Sequence, residues 1–257
     1  MPDEISLILN DRESGSVSLL NRLITALEHE LHAEDLSTWA FSHLLLNIRE
    51  KLHHFAAIEN FLVSLIACTG QKENFPGEAI RFIKDYRLHW QDSAAQIAEN
   101  FLQHCGPENL TILTHSHSQT IISLLSELHF RQIPFRVVQT LSIPGEEGRI
   151  AQERMLQLDI QAELVDDRKL KEVLARTDLI LMGCDALLPK EFLNKAGTRE
   201  ILEKAKKLDI PSMLVTESRK EITRSEWKNE LTELALFEWV PLDLVDRIVT
   251  EKIIKAR

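Results

Sequence analysis

Residues 110–128, LTILTHSHSQTIISLLSEL, contain a short apolar run, a stretch of small polar residues and then a helical pattern. The run Leu110–Thr114 is typical of a buried strand, while Thr120–Leu128 has its apolar residues at the spacing of an α-helix. A strand that passes through a short turn into a helix begins a βαβ unit. This stretch therefore predicts a parallel sheet with helices packed against it.

The alternation of strands and helices continues towards the C-terminus. Further strands are predicted at Phe135–Val138, Ala162–Val165, Leu179–Met182 and Ser212–Val215, and further helices at Arg149–Leu158, Leu170–Ala175 and Arg199–Lys207. We therefore expect residues 108–257 to form a Rossmann-like α/β domain with a mostly parallel sheet. In such sheets, ligands bind beyond the carboxyl ends of the strands, near the point where the strand order reverses.

The chain before Gly106-Pro107 has a helical pattern instead. Apolar residues recur three and four positions apart in Val17–Leu31, in Phe41–Leu52 with a continuation to Leu65, and in Ile80–Trp90 with a continuation to Ile97. Ser14 or Ser16 is a candidate N-cap of the first of these helices. We expect residues 1–107 to form a helical N-terminal domain.

Composition excludes several classes of protein. The formal net charge of the 257-residue chain is -10, which is unlike the basic surface of a general nucleic-acid binder. Cys68, Cys105 and Cys184 form no CxxC pair, as expected for reduced thiols in a cytoplasmic protein. The N-terminus lacks the features of a signal peptide, and charges interrupt the apolar runs, so we expect no membrane contact.

Two polar segments follow predicted strands directly. In Thr114–Ser118, hydroxyl groups and free backbone N–H groups at a helix start could bind phosphate, although simple N-capping explains the same residues. The His-Ser-His spacing within it supplies too few ligands to predict a metal site. In Met182–Ala186, Asp185 stands where a general acid or base would lie, or where an Asp would cap a turn.

Two further segments carry positive charge near turns. In Asn194–Thr198, Lys195 and Thr198 flank a glycine and could hold an anion at a helix start, while the alternative is an ordinary loop. Glu217–Lys220 follows the strand Ser212–Val215 and could equally be a solvated charged turn. Each segment alone favours the structural alternative, but their order and spacing together point to one site.

That order resembles the family of the alpha, beta and delta subunits of initiation factor 2B, together with methylthioribose-1-phosphate and ribose-1,5-bisphosphate isomerases. The matching motifs are Ile112–Ser118 for "ILTHxxS", Gly183–Ala186 for "GADA", Asn194–Thr198 for "NKxGT", Glu217–Lys220 for "ESxK", and Val240–Glu251 for the closing "PxxxDxIxTE". The resemblance covers roughly residues 108–252 and implies the Rossmann-like fold.

The resemblance also implies roles for residues and shows where this chain departs from the pattern. The isomerases have a catalytic Cys at the position of Ser116, and their partner Asp is retained as Asp185. The "TESRP" segment corresponds to residues 140–144, where Leu141 replaces the Glu and Ile143 replaces a phosphate-binding Arg. An alcohol does not ionise near neutral pH, and loss of a guanidinium removes a bidentate phosphate contact.

Three functions are compatible with this pattern. The first is an initiation-factor-2B-like regulatory protein, a homodimer or larger assembly, that binds a sugar phosphate or nucleotide in a degenerate pocket. The alternative is an aldose–ketose isomerase of a phosphorylated pentose, and the third is a scaffold without a ligand. The expected catalytic residues are Asp185 and Ser116, and neither a cofactor nor a metal is expected. The expected ligand-binding residues are Thr114, His115, Ser118, Arg149, Asn194, Lys195, Gly197, Thr198 and Lys220. Cys184 is expected to lie in the core, facing away from Asp185.

Overall fold

A computed structural model of the chain describes residues 3–11, 14–32, 37–69, 75–105, 109–223, 236–252 and 254–256. The described residues form two compact units, one ending at Asp92 and one beginning at Ser93. The second unit includes helix α6 (Ser93–Cys105), which the sequence division had placed in the helical domain. The predicted boundary at Gly106-Pro107 itself lies outside the described residues.

The first unit is built from helices whose apolar stripes face each other. Its helices are α1 (Asp3–Asn10), α2 (Ser16–Leu31), α3 (Thr38–Leu52), α4 (Ala56–Thr69) and α5 (Phe75–Trp90). Their buried Leu, Ile, Phe and Ala side chains form one continuous core. The apolar pattern that runs from Phe41 to Leu65 is divided at residues 53–55, so it makes two helices. The predicted Ser cap of α2 is wrong, because Gly15 occupies the N-cap position and Ser16 is the first helical residue.

The second unit is a Rossmann-like α/β structure. Besides α6, its helices are α7 (Gln119–Phe130), α8 (Glu147–Leu156), α9 (Leu170–Leu174) and α10 (Thr198–Lys207). Its strands are β1 (Leu110–Thr114), β2 (Phe135–Thr140), β3 (Ala162–Val165), β4 (Leu179–Met182), β5 (Ala186–Leu187), β6 (Glu191–Lys195), β7 (Ser212–Val215), β8 (Phe237–Pro241), β9 (Arg247–Val249) and β10 (Ile254–Ala256). The predicted α/β class with a mostly parallel sheet is confirmed.

The main sheet has the strand order β10-β9-β7-β4-β1-β2-β3. All neighbouring pairs are parallel except β9 and β10, which pair antiparallel at one edge. The chain proceeds outward from β1 through β2 to β3, and then returns to place β4 on the other side of β1. The strand order therefore reverses between β1 and β4, and the carboxyl ends of these two strands lie side by side.

A smaller antiparallel sheet, with the order β5-β6-β8, was not predicted. The segment Glu191–Lys195 forms β6 here, so Asn194 and Lys195 end a strand rather than lie in a loop. The short sequences of β5 and β6 lack the run of β-branched residues that usually marks a strand. Pairing with β8, which lies 42 to 50 residues later in the chain, stabilises β6, and a local pattern does not reveal such long-range pairing.

Candidate functional site

The candidate site is located where the strand order reverses. The polar turn after β1 meets the end of β4 there, and a Cβ atom added to Gly183 would lie only 2.3 Å from Ser118 Oγ. Gly183 is therefore needed for the close approach of β4 to the start of α7. The side chain of Ser118 caps α7 by accepting a hydrogen bond from Ile121 N at 3.4 Å. This is the capping alternative described above for Ser118.

His115 links three segments of the α/β unit. Its Nε2 atom lies 2.9 Å from the Ala196 carbonyl oxygen, and its Nδ1 atom lies 2.6 Å from Thr140 Oγ1. A carbonyl oxygen can only accept, so Nε2 carries the proton and Nδ1 of the neutral ring accepts from the Thr140 hydroxyl. Burial lowers the pKa of His115, because desolvation disfavours the charged ring. A ligand contact of His115 would have to replace one of these two hydrogen bonds.

The turn that contains Ser116 is tied to the turn after β2. Ser116 has a left-handed backbone conformation with φ 67°, and its N–H donates to Ser142 Oγ at 2.6 Å. Ser142 also has positive φ, at 66°, and its own N–H donates to the Asp167 carboxylate at 3.0 Å. The side chain of Ser142 is fully buried. These bonds hold the Ser116 turn in one position at the end of β1.

Asp185, Cys184 and Lys220 lie together beyond the ends of β4 and β7. Asp185 is half-buried, and its backbone N–H donates to the Leu193 carbonyl oxygen at 2.9 Å. The Cys184 side chain lies in the hydrophobic core, with its sulfur 3.1 Å from Thr216 Oγ1, and burial raises the pKa of this thiol to about 11. Lys220 is also buried, and its Nζ donates to the Cys184 carbonyl oxygen at 2.7 Å.

The Asn194–Thr198 segment supplies two buried polar contacts and one ion pair. Asn194 Nδ2 donates to Thr198 Oγ1 at 2.9 Å, and Thr198 Oγ1 donates to the Lys195 carbonyl oxygen at 2.7 Å. The Lys195 side chain is completely buried, and its Nζ lies 2.7 Å from Glu147 Oε1 at the start of α8. The ammonium group of Lys195 therefore already has a carboxylate partner within the chain.

The start of α10 also carries an acidic partner from within the chain. Glu238 Oε1 accepts hydrogen bonds from the backbone N–H groups of Gly197 and Arg199, both at 2.9 Å. A carboxylate at the N-terminus of a helix is stabilised by the free N–H groups and the helix dipole. The sequence predicted an anion at this position, and in the structure the Glu238 carboxylate occupies it.

The remaining predicted cation, Arg149, lies on the surface. Its Nε is 2.6 Å from Glu146 Oε2, and both side chains are more than half exposed. Thr114 lies buried at the end of β1, where the polar turn begins. The structure thus brings Thr114, Ser116, Ser118 and Asp185 to the reversal point. Lys195 at the end of β6, Thr198 at the start of α10 and Lys220 after β7 are buried, while Arg149 forms an exposed ion pair.

Several residues that shape this region were missed from the sequence. Thr140, Ser142 and Asp167 organise the turns, and Glu147 and Glu238 neutralise the predicted anion-binding groups. Glu147 directly precedes the Gly148-Arg149 pair, so its position could have drawn attention to it. No signal in the sequence indicates Glu238, because its partners lie about 40 residues earlier in the chain.

The described part of the chain has neither a metal-ligand cluster nor a membrane-spanning helix. There, no three or more His, Cys, Asp or Glu side chains gather as they would around a metal ion. None of the helices within the described ranges combines the length and apolar character needed to cross a membrane.

The chain matches one family model and several known proteins. The model of the Initiation factor 2 subunit family matches residues 43–235. The ribose 1,5-bisphosphate isomerase of Archaeoglobus fulgidus is 22% identical over 186 residues, a match that covers 64% of this chain and 59% of that protein. A putative translation initiation factor eIF-2B subunit 2-like protein of Pyrococcus abyssi is 24% identical over 228 residues, which cover 86% of this chain and 80% of the relative.

The same fold is found in a solved structure. The translation initiation factor eIF-2B of Pyrococcus horikoshii OT3 superposes with a TM-score of 0.80 at 20% sequence identity. The superposition covers 100% of this chain and 98% of that chain. At this sequence identity, the likeness shows the fold alone.

Proposed function

We propose, from the premise that this chain belongs to the Initiation factor 2 subunit family, that it is a regulatory protein which binds a phosphorylated small molecule without converting it. The ligand is a sugar phosphate or a nucleotide, held beyond the carboxyl ends of β1 and β4. The likeness to a ribose 1,5-bisphosphate isomerase supports the sugar-phosphate class, and the likeness to an eIF-2B subunit 2-like protein supports a regulatory role.

The observation that carries this proposal is the lack of an ionisable thiol at the reversal point. Ser116 stands where the resemblance places the isomerase Cys, and a hydroxyl does not ionise near neutral pH. The neighbouring thiol of Cys184 cannot replace it, because burial raises its pKa to about 11 and its sulfur contacts Thr216. The thiolate form is the reactive one, so neither residue offers the nucleophile or base of the isomerases.

One observation favours the isomerase alternative. Asp185 is half-buried at the end of β4, next to the reversal point, where a carboxylate can move protons between neighbouring atoms of a ligand. A positioned acid–base group typically contributes about 10²–10⁴-fold to a rate, so an enzyme that lacks one of two such groups can retain slow turnover. Under this alternative, Asp185 transfers the protons and Ser116 takes the position of the Cys.

The proposal also includes self-association, which the family resemblance implies. We expect a homodimer or a larger assembly that forms through the α/β unit. Sedimentation velocity of the purified full chain over a range of concentrations measures this directly. A strict monomer at the highest concentration contradicts the assembly part of the proposal and leaves the ligand-binding part standing.

The experiment that tests ligand binding is a thermal-shift screen with pentose monophosphates, pentose bisphosphates, methylthioribose 1-phosphate and purine nucleotides. A ligand that binds only the native state, at a concentration about 100 times its dissociation constant, adds roughly 2.7 kcal/mol of stability. This gives a measurable rise in the melting temperature. No shift with any compound contradicts the proposal and favours a scaffold.

A second step separates the binding protein from the enzyme. The compound that binds is incubated with the wild-type chain, with Asp185→Asn, and with Asp85→Asn as a control at an exposed site on α5. An unchanged compound in all three reactions is the result expected for a binding protein. Isomerisation by the wild type and Asp85→Asn that disappears in Asp185→Asn establishes the enzyme instead.

A further inference from the structure

We infer that Glu147 is a built-in competitor for the anion site at Lys195, and that it thereby determines which ligands the site accepts. The inference rests on the proposed function, since it concerns how a phosphorylated ligand reaches Lys195. A ligand phosphate takes the place of the Glu147 carboxylate instead of joining it, and Glu147 moves into solvent.

The first observation is the complete burial of the Lys195 ammonium. The side chain has 0% exposure, and its Nζ lies 2.7 Å from Glu147 Oε1. A buried ammonium without an anionic partner is strongly unfavourable, so the charged form of Lys195 needs an acceptor of opposite charge. In the structure that acceptor comes from the chain itself, and a bound phosphate would meet the same requirement.

The second observation is that Glu147 is incompletely satisfied in this position. Its side chain is 24% exposed, but its Oε2 atom is buried and has no hydrogen-bond partner among the residues that the structure describes. An ionised carboxylate can accept hydrogen bonds at both oxygens. A buried oxygen without a donor has lost its hydration and gains no hydrogen bond in exchange, which is unfavourable. Movement of Glu147 into water restores that hydration, which lowers the free energy needed for displacement.

The third observation is the close approach of the Gly145 backbone to the pair. Gly145 has φ 106°, and a Cβ atom added to it would lie 3.0 Å from Glu147 Oε1 and 3.1 Å from Lys195 Nζ. The backbone at Gly145 therefore covers the ion pair closely. Because Lys195 is fully buried and the Gly145 backbone occupies this side of the pair, we expect a phosphate to exchange with Glu147 rather than join it.

The exchange gives the site a chemical preference. A phosphate carries about −1.5 to −2 charges at pH 7 and three acceptor oxygens, whereas a carboxylate carries one charge and two oxygens. A phosphorylated sugar therefore gains over Glu147 at Lys195, while a sugar carboxylate only matches the group it replaces. We expect the site to select phosphate esters against sugar acids because Glu147 is present.

The first test compares Glu147→Gln with the wild type by calorimetric titration of the full chain with ribose 5-phosphate and inorganic phosphate. Gln keeps the size and an acceptor oxygen but removes the competing charge, so phosphate binding should tighten about tenfold or more. Glu153→Gln, at an exposed position on the same helix, should bind as the wild type does. Equal or weaker binding by Glu147→Gln overturns the inference.

The second test uses the wild-type chain and needs no variant to fold. Carbodiimide coupling of glycine ethyl ester labels accessible carboxylates, and mass spectrometry measures the label at Glu147 and at Glu153 as an internal reference. Saturating ribose 5-phosphate should raise the label at Glu147 several-fold and leave Glu153 unchanged. An unchanged label at Glu147 in the ligand-bound protein overturns the inference.

Failure of the inference and failure of the proposed function give different results. If ribose 5-phosphate binds the wild type and Lys195→Met abolishes that binding, but Glu147→Gln does not strengthen it, only the competition by Glu147 is rejected. If neither the wild type nor Glu147→Gln binds any phosphorylated compound of the screen, the proposed function is rejected together with the inference.

Discussion

The helical unit and the α/β unit bury different kinds of side chain. Among the described residues of the helical unit, the buried polar or charged residues are Ser16, Glu59 and Thr69. In the described part of the α/β unit they include Thr114, His115, Gln139, Thr140, Ser142, Asn194, Lys195, Thr198, Thr216, Glu217, Arg219 and Lys220. Most of these lie at or just beyond the carboxyl ends of strands.

The two kinds of burial differ in how they contribute to stability. Apolar burial in the helical unit contributes about 25 cal/mol per Å² and requires no exact partner for any group. Each buried polar group in the α/β unit instead needs a hydrogen bond or a counter-charge, and a missing partner costs about 1–3 kcal/mol. The proposed function assigns some of these polar groups to ligand binding.

The largest expected effect is the loss of stability when a core side chain of the helical unit is truncated. Phe61 in α4 is 1% exposed and lies within the helical core, so Phe61→Ala should destabilise the protein by about 3–5 kcal/mol through lost burial and a cavity. Urea unfolding measures the change. Phe130→Ala is the matched control, because Phe130 is 83% exposed and should change stability little. Equal effects of the two substitutions would contradict the assignment of the core.

A smaller loss of stability is expected when a buried hydroxyl of the α/β unit is removed. Ser142→Ala removes the hydroxyl that accepts from Ser116 N, and loss of that partner should cost about 1–3 kcal/mol. The same substitution at the exposed Ser64 serves as the control. Thermal unfolding reports the stability, and the affinity for ribose 5-phosphate should fall too, because the Ser116 turn loses its anchor. A change in stability at Ser64 as large as at Ser142 would argue against the network.

The smallest effect is a pH dependence of stability that arises from the buried His115 of the α/β unit. Burial lowers the pKa of His115 below its unfolded value of about 6.5, so the unfolded state binds a proton more readily than the folded state does. The stability from this group is complete above that pH and is lost as the pH falls towards the folded pKa, by at most about 1.4 kcal/mol per pH unit.

The measurement is the change in unfolding free energy between pH 7.5 and pH 5.5. The wild type and the control His104→Asn, at an exposed position on α6, should both lose stability over this interval. His115→Asn should lose less, although it is less stable at the higher pH. An identical pH dependence in all three proteins would mean that His115 is not a buried neutral ring.

Local pattern predicted the strands β1, β2, β3, β4 and β7 of the main sheet, but not β9 and β10. The strands β1, β3, β4 and β7 have the predicted limits, because each is a short, mainly apolar run. The pattern was less informative for β6 and β8, which are stabilised mainly by pairing with each other. It also missed the breaks between α3 and α4 and between α5 and α6, since apolar periodicity continues through both.

The sequence by itself determined the fold class, the order of the motifs and the presence of polar turns after β1, β4 and β7. It did so because strands, helices and turns depend on contacts between residues close in the chain. Only the tertiary structure decided which charges meet. Lys195 faces Glu147, and Gly197 donates to Glu238, across about 40 residues or more. The energy between two charges depends on their distance in space and is larger when they are buried. The ion pairs of the site therefore form only when the sheet brings their residues together.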